Sequence, residues 1–249
     1  MTGGAEYTLR LGDDALVLAQ RLSEWSARAP DLEEDLALTN IALDLLGQAR
    51  ALLSRAAELE GAGRDEDDLA YLRGEREFRN ALIVEQPNGD FARTIARQLL
   101  FSSYQLGLYD RLCDSTDDVL AGVAAKAVKE VAYHRDHATE WTLRLGDGTE
   151  ESHRRMQDAV DWTWPLAAEL FEHDALAEQL VREEIAVDAR ELRPAWEHYV
   201  GGVLAEATLE RPDTAYAPSG GRRGEHSEAL GHMLAVMQSV HRSHPGATW

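Results

Sequence analysis

The sequence predicts an all-α fold. Apolar residues recur with the helical period along most of the 249 residues. No segment alternates apolar and polar residues for long enough to make a convincing strand. The long periodic segments are separated by short glycine-rich connections, such as Gly61-Ala62-Gly63 and Gly146-Asp147-Gly148. These observations together predict helices joined into hairpins.

The first half of the chain contains three predicted helices, whose boundaries are marked by local signals. Ala29-Pro30 ends the first, because proline disfavours helix in the residue ahead of it. Asp31 can cap the second, and Glu85 to Asp90 is a turn signal after the third. The second helix is apolar on most of its circumference, which predicts a central position. The predicted helices are Asp13 to about Ala27, about Leu32 to Leu59, and a short one near Leu69 to Phe78.

The second half repeats the arrangement with two more long helices and further short ones. Four long helices, paired by short connections and followed by more helix, match a ferritin-like bundle with a long crossover. We predict a single domain over residues 1–249, with the bundle at about 7–175 and a C-terminal helical extension at about 176–249. The predicted helices are about Phe91 to Leu112, Asp117 to Leu145, Glu150 to His173, Arg190 to Ala207 and Glu225 to His241.

Composition excludes several classes of function. The formal net charge of −20 opposes binding to nucleic acid and to acidic lipid surfaces. The single cysteine, Cys113, excludes an internal disulfide and a cysteine-rich zinc site. We expect no membrane segment, because no apolar run is long enough, and no signal peptide at the start. A cytoplasmic location is therefore expected.

A ferritin-like bundle raises the question of a di-iron site. Such sites take one carboxylate from each of two helices and a Glu-x-x-His pair from each of the other two. In the second helix, Asp44 is followed by Gly47 where the pattern requires histidine. The third long helix, from Phe91 to Tyr109, contains no aspartate or glutamate. Two of the four helices therefore lack a required ligand.

The fourth long helix departs from the pattern as well. Glu130 is followed by Tyr133 at the histidine position, with His134 one residue late. One alternative is a single-metal site made of Glu130, His134 and His137, which share a helix face. The other is that Glu130 and His134 are hydrogen-bonded remnants beside the apolar stripe. We expect no catalytic, cofactor-binding or metal-binding residue, with Asp44, Gly47, Glu130, Tyr133 and His134 as vestigial positions.

One true Glu-x-x-His string, Glu150 to His153, follows Gly148-Thr149. Acidic residues are favoured at a helix start by the helix dipole, so this string is expected to be structural. No nucleophile elbow, phosphate loop or dinucleotide fingerprint is present.

Several longer strings resemble one family, the C subunits of bacterial ring-1,2-phenylacetyl-CoA epoxidases. The resemblance covers essentially the whole chain. Its most specific parts are YTLRLGDDALVLAQRLSEW from Tyr7, DLALTNIALDLLGQAR from Asp35, VEQPNGDFARTIARQ from Val84, KAVKEVAYHRDH from Lys126, GGRRGEHSEALGHMLAVMQ from Gly220, and the ending HPGATW.

The resemblance implies a ferritin-like subunit that has lost its metal and pairs with a catalytic A subunit holding the di-iron centre. It implies a structural role in the complex that epoxidises the ring of phenylacetyl-CoA during phenylacetate degradation. The implied assembly is a heterotetramer built on a dimer of C subunits, supplied with electrons by a flavin and iron-sulfur reductase, with small subunits also in the system. No catalytic residue carries over to this chain.

The tryptophans and the arginine pair near the C-terminus each have two possible interpretations. Tryptophan is favoured at binding hot spots, yet in a bundle it is more often part of the core. Arg222 and Arg223 either lie in a solvated loop or reach an acidic partner surface or a phosphate of CoA bound to the partner. The tryptophans concerned are Trp25, Trp162, Trp164, Trp196 and Trp249.

Overall fold

The computed structural model describes residues 2–247. It shows the all-α, ferritin-like helical fold that the sequence predicts, with eleven α-helices and no strand in that range. The chain forms two compact units. The first contains residues up to Pro87 together with those from Gly220 onward, and the second is Asn88–Ser219.

These boundaries do not follow the predicted division at about residue 175. Helices beyond that point fall in both units: α8 (Ala175–Arg182) and α9 (Arg193–Glu206) in the second, and α10 (Glu228–Met237) and α11 (Ser239–Ser243) in the first. The assignment of a single domain to residues 1–249 stays a prediction.

The first unit is built on one helical hairpin. Asp31 caps its second helix by accepting a hydrogen bond from Glu34 N at 2.9 Å. That helix ends at Gly61, whose φ of 67° favours glycine. Gly12 lies at the close approach of the two helices, where a Cβ atom would stand 2.9 Å from Leu53 Cδ2. The hairpin and the short helices after it are α1 (Gly3–Ser23), α2 (Leu32–Glu60), α3 (Glu66–Tyr71) and α4 (Leu82–Glu85).

The start of α1 corrects the sequence prediction. The helix begins ten residues before the predicted Asp13 and ends at Ser23 rather than Ala27. The Thr2 side chain accepts a hydrogen bond from Ala5 N at 3.3 Å and caps the helix. Glycines in this segment lower its helix propensity, but burial of Leu9 and Leu11 outweighs that cost.

The prediction that α2 is central is wrong for one of its faces. Leu38, Leu45 and Leu52 are fully buried, but Leu36 and Leu43 are more than half exposed. By length and composition α2 is long and apolar enough to cross a membrane. The core helix of a bundle meets the same criteria.

The second unit is built on the hairpin of α5 (Phe91–Leu112) and α6 (Asp118–Gly146), whose bounds match the prediction within one residue. Asp90 and Asp117 cap these helices by accepting backbone N–H bonds from Arg93 and Val119, each at 3.0 Å.

The remaining helices of this unit are shorter than predicted. Helix α7 (Glu150–Thr163) gives way at Pro165 to a 3₁₀ segment that ends at Phe171. Proline removes a backbone donor and ends the α-helical ladder there. The predicted helix from Glu150 to His173 is thus two elements, and α8 was not predicted.

Candidate functional site

The α2 positions of the di-iron pattern lie toward solvent in the first unit. Asp44 is half-buried and Gly47 is exposed. A Cβ atom added at Gly47 would meet no atom within 4 Å. The position that would need a histidine therefore carries no side chain and faces open space.

The α6 positions lie in the second unit. His134 is buried, whereas Tyr133 is 51% exposed, with its ring centroid 6.2 Å from that of His137. The carboxylate of Glu130 lies 3.5 Å from the ammonium of Lys126. The two residues form an i,i+4 pair on the helix, with the Lys126 side chain exposed and that of Glu130 mostly buried.

No metal-binding cluster results from these residues. Within residues 2–247 no group of three or more histidine, cysteine, aspartate or glutamate side chains is placed to hold a metal ion. Glu130, His134 and His137 are therefore not brought together as the single-metal alternative requires. The donor set also does not fit a di-iron centre, since α5 supplies no carboxylate from Phe91 to Tyr109.

The Glu150 to His153 string has the structural role that we expected. Thr149 and Ser152 form a capping box at the start of α7. The Nδ1 atom of His153 is 2.7 Å from the carbonyl oxygen of Gly146. Its imidazole therefore ties the end of α6 to the start of α7.

The main polar cluster of the chain was missed by sequence reasoning and lies in the first unit. Asp13 is fully buried and accepts from the guanidinium of Arg73, with one N–O distance of 2.9 Å, and from Arg79 N at 2.8 Å. Asp14 is 3% exposed and accepts two hydrogen bonds from Arg222, at 2.7 and 3.0 Å. Two adjacent acids of α1 are thus each paired with an arginine.

A third acid completes this cluster. Glu85 is fully buried and accepts from Asn80 Nδ2 at 2.9 Å and from Ser227 N at 2.7 Å. His226 Nδ1 lies 2.7 Å from the same carboxylate, and its Nε2 lies 3.0 Å from the carbonyl oxygen of Phe78. Both ring nitrogens face acceptors, so the imidazolium form satisfies both.

The pKa values follow from these contacts. Burial opposes the charge of His226, but the hydrogen bond and the charge of Glu85 outweigh it and raise the pKa of His226. Burial raises the pKa of Asp14, although Arg222 and Ala81 N favour its ionised form. Because every acid of the cluster is paired, we interpret the cluster as a stabilising contact between α1 and the loop that contains Arg222, and not as an acid–base centre.

This cluster corrects the interpretation of the arginine loop. Arg222 lies neither in solvent nor toward an external phosphate, because its guanidinium binds Asp14 and the carbonyl oxygens of Arg10 and Arg79. Arg223 is exposed and lies 3.7 Å from Glu225. A sequence signal was available, since two adjacent acids inside an apolar helix require cationic partners.

The structure assigns one of these tryptophans to the core, and for the others the two interpretations stay predictions. Trp196 is buried and donates from Nε1 to the carbonyl oxygen of Leu100 at 2.9 Å, so it belongs to the core. Trp25, Trp162 and Trp164 are half-buried. Trp249 lies outside the described residues.

The cysteine has no activating environment. Burial, followed by the charges of Asp110 and Asp114, raises the pKa of Cys113. A thiol with a raised pKa is a poor nucleophile at neutral pH.

Comparison with known proteins identifies the family of this chain. The family model described as "Phenylacetic acid catabolic protein" matches residues 2–249. The chain is 53% identical over 243 residues to the C subunit of the 1,2-phenylacetyl-CoA epoxidase of Escherichia coli strain K12, covering 98% of each chain. The resemblance seen in the sequence is confirmed: the chain belongs to the phenylacetic acid catabolic protein family.

Proposed function

We propose that this chain is the non-catalytic structural subunit of a phenylacetyl-CoA epoxidase. It holds a catalytic A subunit, which carries the di-iron centre, in its active shape during aerobic phenylacetate degradation. The observation that carries the proposal is the 53% identity to the C subunit of such an epoxidase over 98% of both chains. Similarity of this extent over nearly the whole of both chains supports the same place in such a complex.

The donor set supports the non-catalytic role. The described residues offer no three-ligand cluster, and the ligand positions are lost on three helices, α2, α5 and α6. No observation favours the independent metal enzyme built on Glu130, His134 and His137. In this proposal the chain by itself is no enzyme and binds no cofactor of its own.

The remaining partners belong to the same proposal. The chain forms a homodimer within a heterotetramer that contains the catalytic subunit, and the reductase and the small subunits make up the rest of the system in the cytoplasm. The net charge of −20 is unfavourable for nucleic acid and for anionic membranes as partners.

The test is reconstitution of the epoxidase from separately purified subunits. We expect the catalytic subunit to form epoxide from phenylacetyl-CoA, dioxygen and reductase only when this chain is added, and this chain alone to form none. A catalytic subunit whose rate is indifferent to this chain would contradict the proposal. So would stoichiometric iron bound by this chain alone and lost in Glu130→Ala.

A further inference from the structure

Helices α5, α6 and α9 of the second unit border a cleft that the proposed function does not use. Its volume is about 440 Å³, which is within the range of roughly 300–1,000 Å³ that is typical of small-molecule sites. The cleft is lined by one face of α5, by Arg135 of α6, by the 3₁₀ turn Ala189–Leu192 and by the first half of α9. All of these elements belong to the compact unit Asn88–Ser219.

The inner wall of this cleft is apolar and aromatic. Trp196 is 5% exposed and is anchored by the hydrogen bond of its indole nitrogen described above. The ring of Tyr199 is a second aromatic surface, and its hydroxyl group is already paired with that of Thr139, at 2.9 Å. Gly107 keeps the cleft open, because the nearest atom to an added Cβ is Leu192 Cδ2, at 3.7 Å. The wall therefore suits a ring or a short hydrocarbon group.

Two hydrogen-bond donors in the wall of the cleft are unpaired. Ser103 Oγ on α5 and Arg135 Nε on α6 are buried, and neither has a hydrogen-bond partner among the described residues. A buried donor without an acceptor is unfavourable, and such a group in a native protein requires an explanation. Both side chains line the cleft, so small rotations suffice to bring the two donors to a bound acceptor.

Arg135 also supplies a positive charge to the cleft. Its guanidinium lies over the ring of Tyr199, 4.2 Å from the ring centroid, which fixes the plane of the group. Its ion pair with Asp136 is long, at 3.4 Å, and the Asp136 side chain is 64% exposed. An exposed pair of this kind is weak, so the guanidinium can accept a second anionic partner.

The other charges of the cleft limit the charge of its occupant. Arg111 pairs with Glu191 at 3.0 Å, and Asp110 is exposed to solvent. Among the described residues of the cleft, Arg135 is therefore the cation with the weakest internal pairing, and it matches one negative charge. A phosphate group carries a charge of about −1.5 to −2 at pH 7, and its second charge would face Asp110 and Glu191 without a cation of its own.

We infer that the cleft between α5, α6 and α9 binds a small organic monocarboxylate with an apolar, ring-sized body. The ring packs against Trp196 and Tyr199, and the two carboxylate oxygens accept hydrogen bonds from Arg135 and Ser103. A carboxylate fits because it offers two acceptor oxygens and a single charge, and its bond to a guanidinium is charge-assisted. The inference goes beyond the proposed function and does not rest on it.

The first test is calorimetric titration of the full chain with three probes. We expect saturable binding of a single molecule of 3-phenylpropanoate per chain. The neutral amide, 3-phenylpropanamide, is expected to bind at least about tenfold more weakly, because it lacks the charge that Arg135 recognises. Propanoate is also expected to bind at least about tenfold more weakly, because it has no ring to bury.

The second test removes the donors one at a time. Arg135→Gln is expected to weaken the binding of 3-phenylpropanoate at least about tenfold. Arg144→Gln is the matched control and is expected to change nothing, because Arg144 is also on α6 and lies over an aromatic ring, that of Trp141, but is outside the cleft. Ser103→Ala changes no charge and is expected to weaken binding by about three- to tenfold.

The third test fills the cleft without changing a polar group. Gly107→Leu places a side chain where the ring of the ligand would lie, and it is expected to abolish binding. Gly201→Leu is the control, because Gly201 is a helix-interior glycine of α9 that lies outside the cleft, with nothing within 4 Å of an added Cβ. Circular dichroism of both variants verifies that the helices are intact.

Each outcome supports or overturns the inference. It is overturned if the wild type shows no saturable binding of 3-phenylpropanoate at millimolar concentration, or if the amide binds equally well. It is also overturned if Gly107→Leu binds as the wild type does, or if the control variants lose binding as the cleft variants do. If Arg135→Gln does not fold, Ser103→Ala and Gly107→Leu decide. A chain that supports epoxidation but binds no carboxylate overturns this inference and leaves the proposed function standing.

Discussion

Removal of the Arg222 guanidinium tests whether the buried cluster stabilises the first unit. Arg222→Ala deletes two hydrogen bonds to Asp14, at 2.7 and 3.0 Å, and leaves that carboxylate with only Ala81 N, at 2.7 Å. Asp14 is 3% exposed, so the carboxylate has almost no contact with solvent in the intact chain. The loss of one partner from a buried ion pair costs about 3–5 kcal/mol.

This loss of stability corresponds to a measurable fall in the melting temperature. At about 2–4 °C per kcal/mol for a chain of this size, the melting temperature of Arg222→Ala is expected to fall by roughly 6–20 °C. The neighbouring Arg223→Ala is the matched control, because Arg223 is 58% exposed and 3.7 Å from Glu225. Exposed pairs of this kind contribute about 0–1 kcal/mol.

The assay is thermal and urea unfolding of the full chain, followed by circular dichroism. Asp14→Asn combined with Arg222→Ala is expected to be more stable than Arg222→Ala alone, because no buried charge is left unpaired. The destabilisation by Arg222→Ala is also expected to diminish as the pH falls, since protonation of Asp14 removes the charge. Equal losses of stability in Arg222→Ala and Arg223→Ala would refute the stabilising role of the buried cluster.

Three further predictions concern other features. His226→Gln is expected to destabilise the chain more at pH 6 than at pH 8.5. The raised pKa of His226 gives stability that is present at low pH and is lost as the pH rises through that pKa. Urea unfolding at both pH values measures the difference in stability. Gly122→Ala is expected to stabilise α6 by about 0.5–1 kcal/mol, because the added Cβ meets nothing within 4 Å. Gly146→Ala is expected to destabilise the chain by about 1–3 kcal/mol, because its Cβ meets the backbone oxygen of Ala207. The melting temperatures of the two variants measure both effects. Gly47→His combined with Tyr133→His is expected to bind no stoichiometric iron, by elemental analysis, because the carboxylates of a third helix are still missing.

The helices that the sequence predicted well are those with local boundary signals. Asp31, Asp90 and Asp117 cap α2, α5 and α6, and each predicted bound is within one residue of the observed one. Capping depends on residues two or three apart, so a single sequence contains the information. Helix α1 was predicted short because burial of its first turns outweighs its glycines, which is a tertiary effect.

The polar cluster could be predicted only in part. The adjacent acids Asp13 and Asp14 signalled a need for cations, but Arg222 is 208 residues from its partner. Periodicity reveals which residues share a face of a helix but not which face is covered. For the same reason α2 was predicted to be central, whereas Leu36 and Leu43 are exposed.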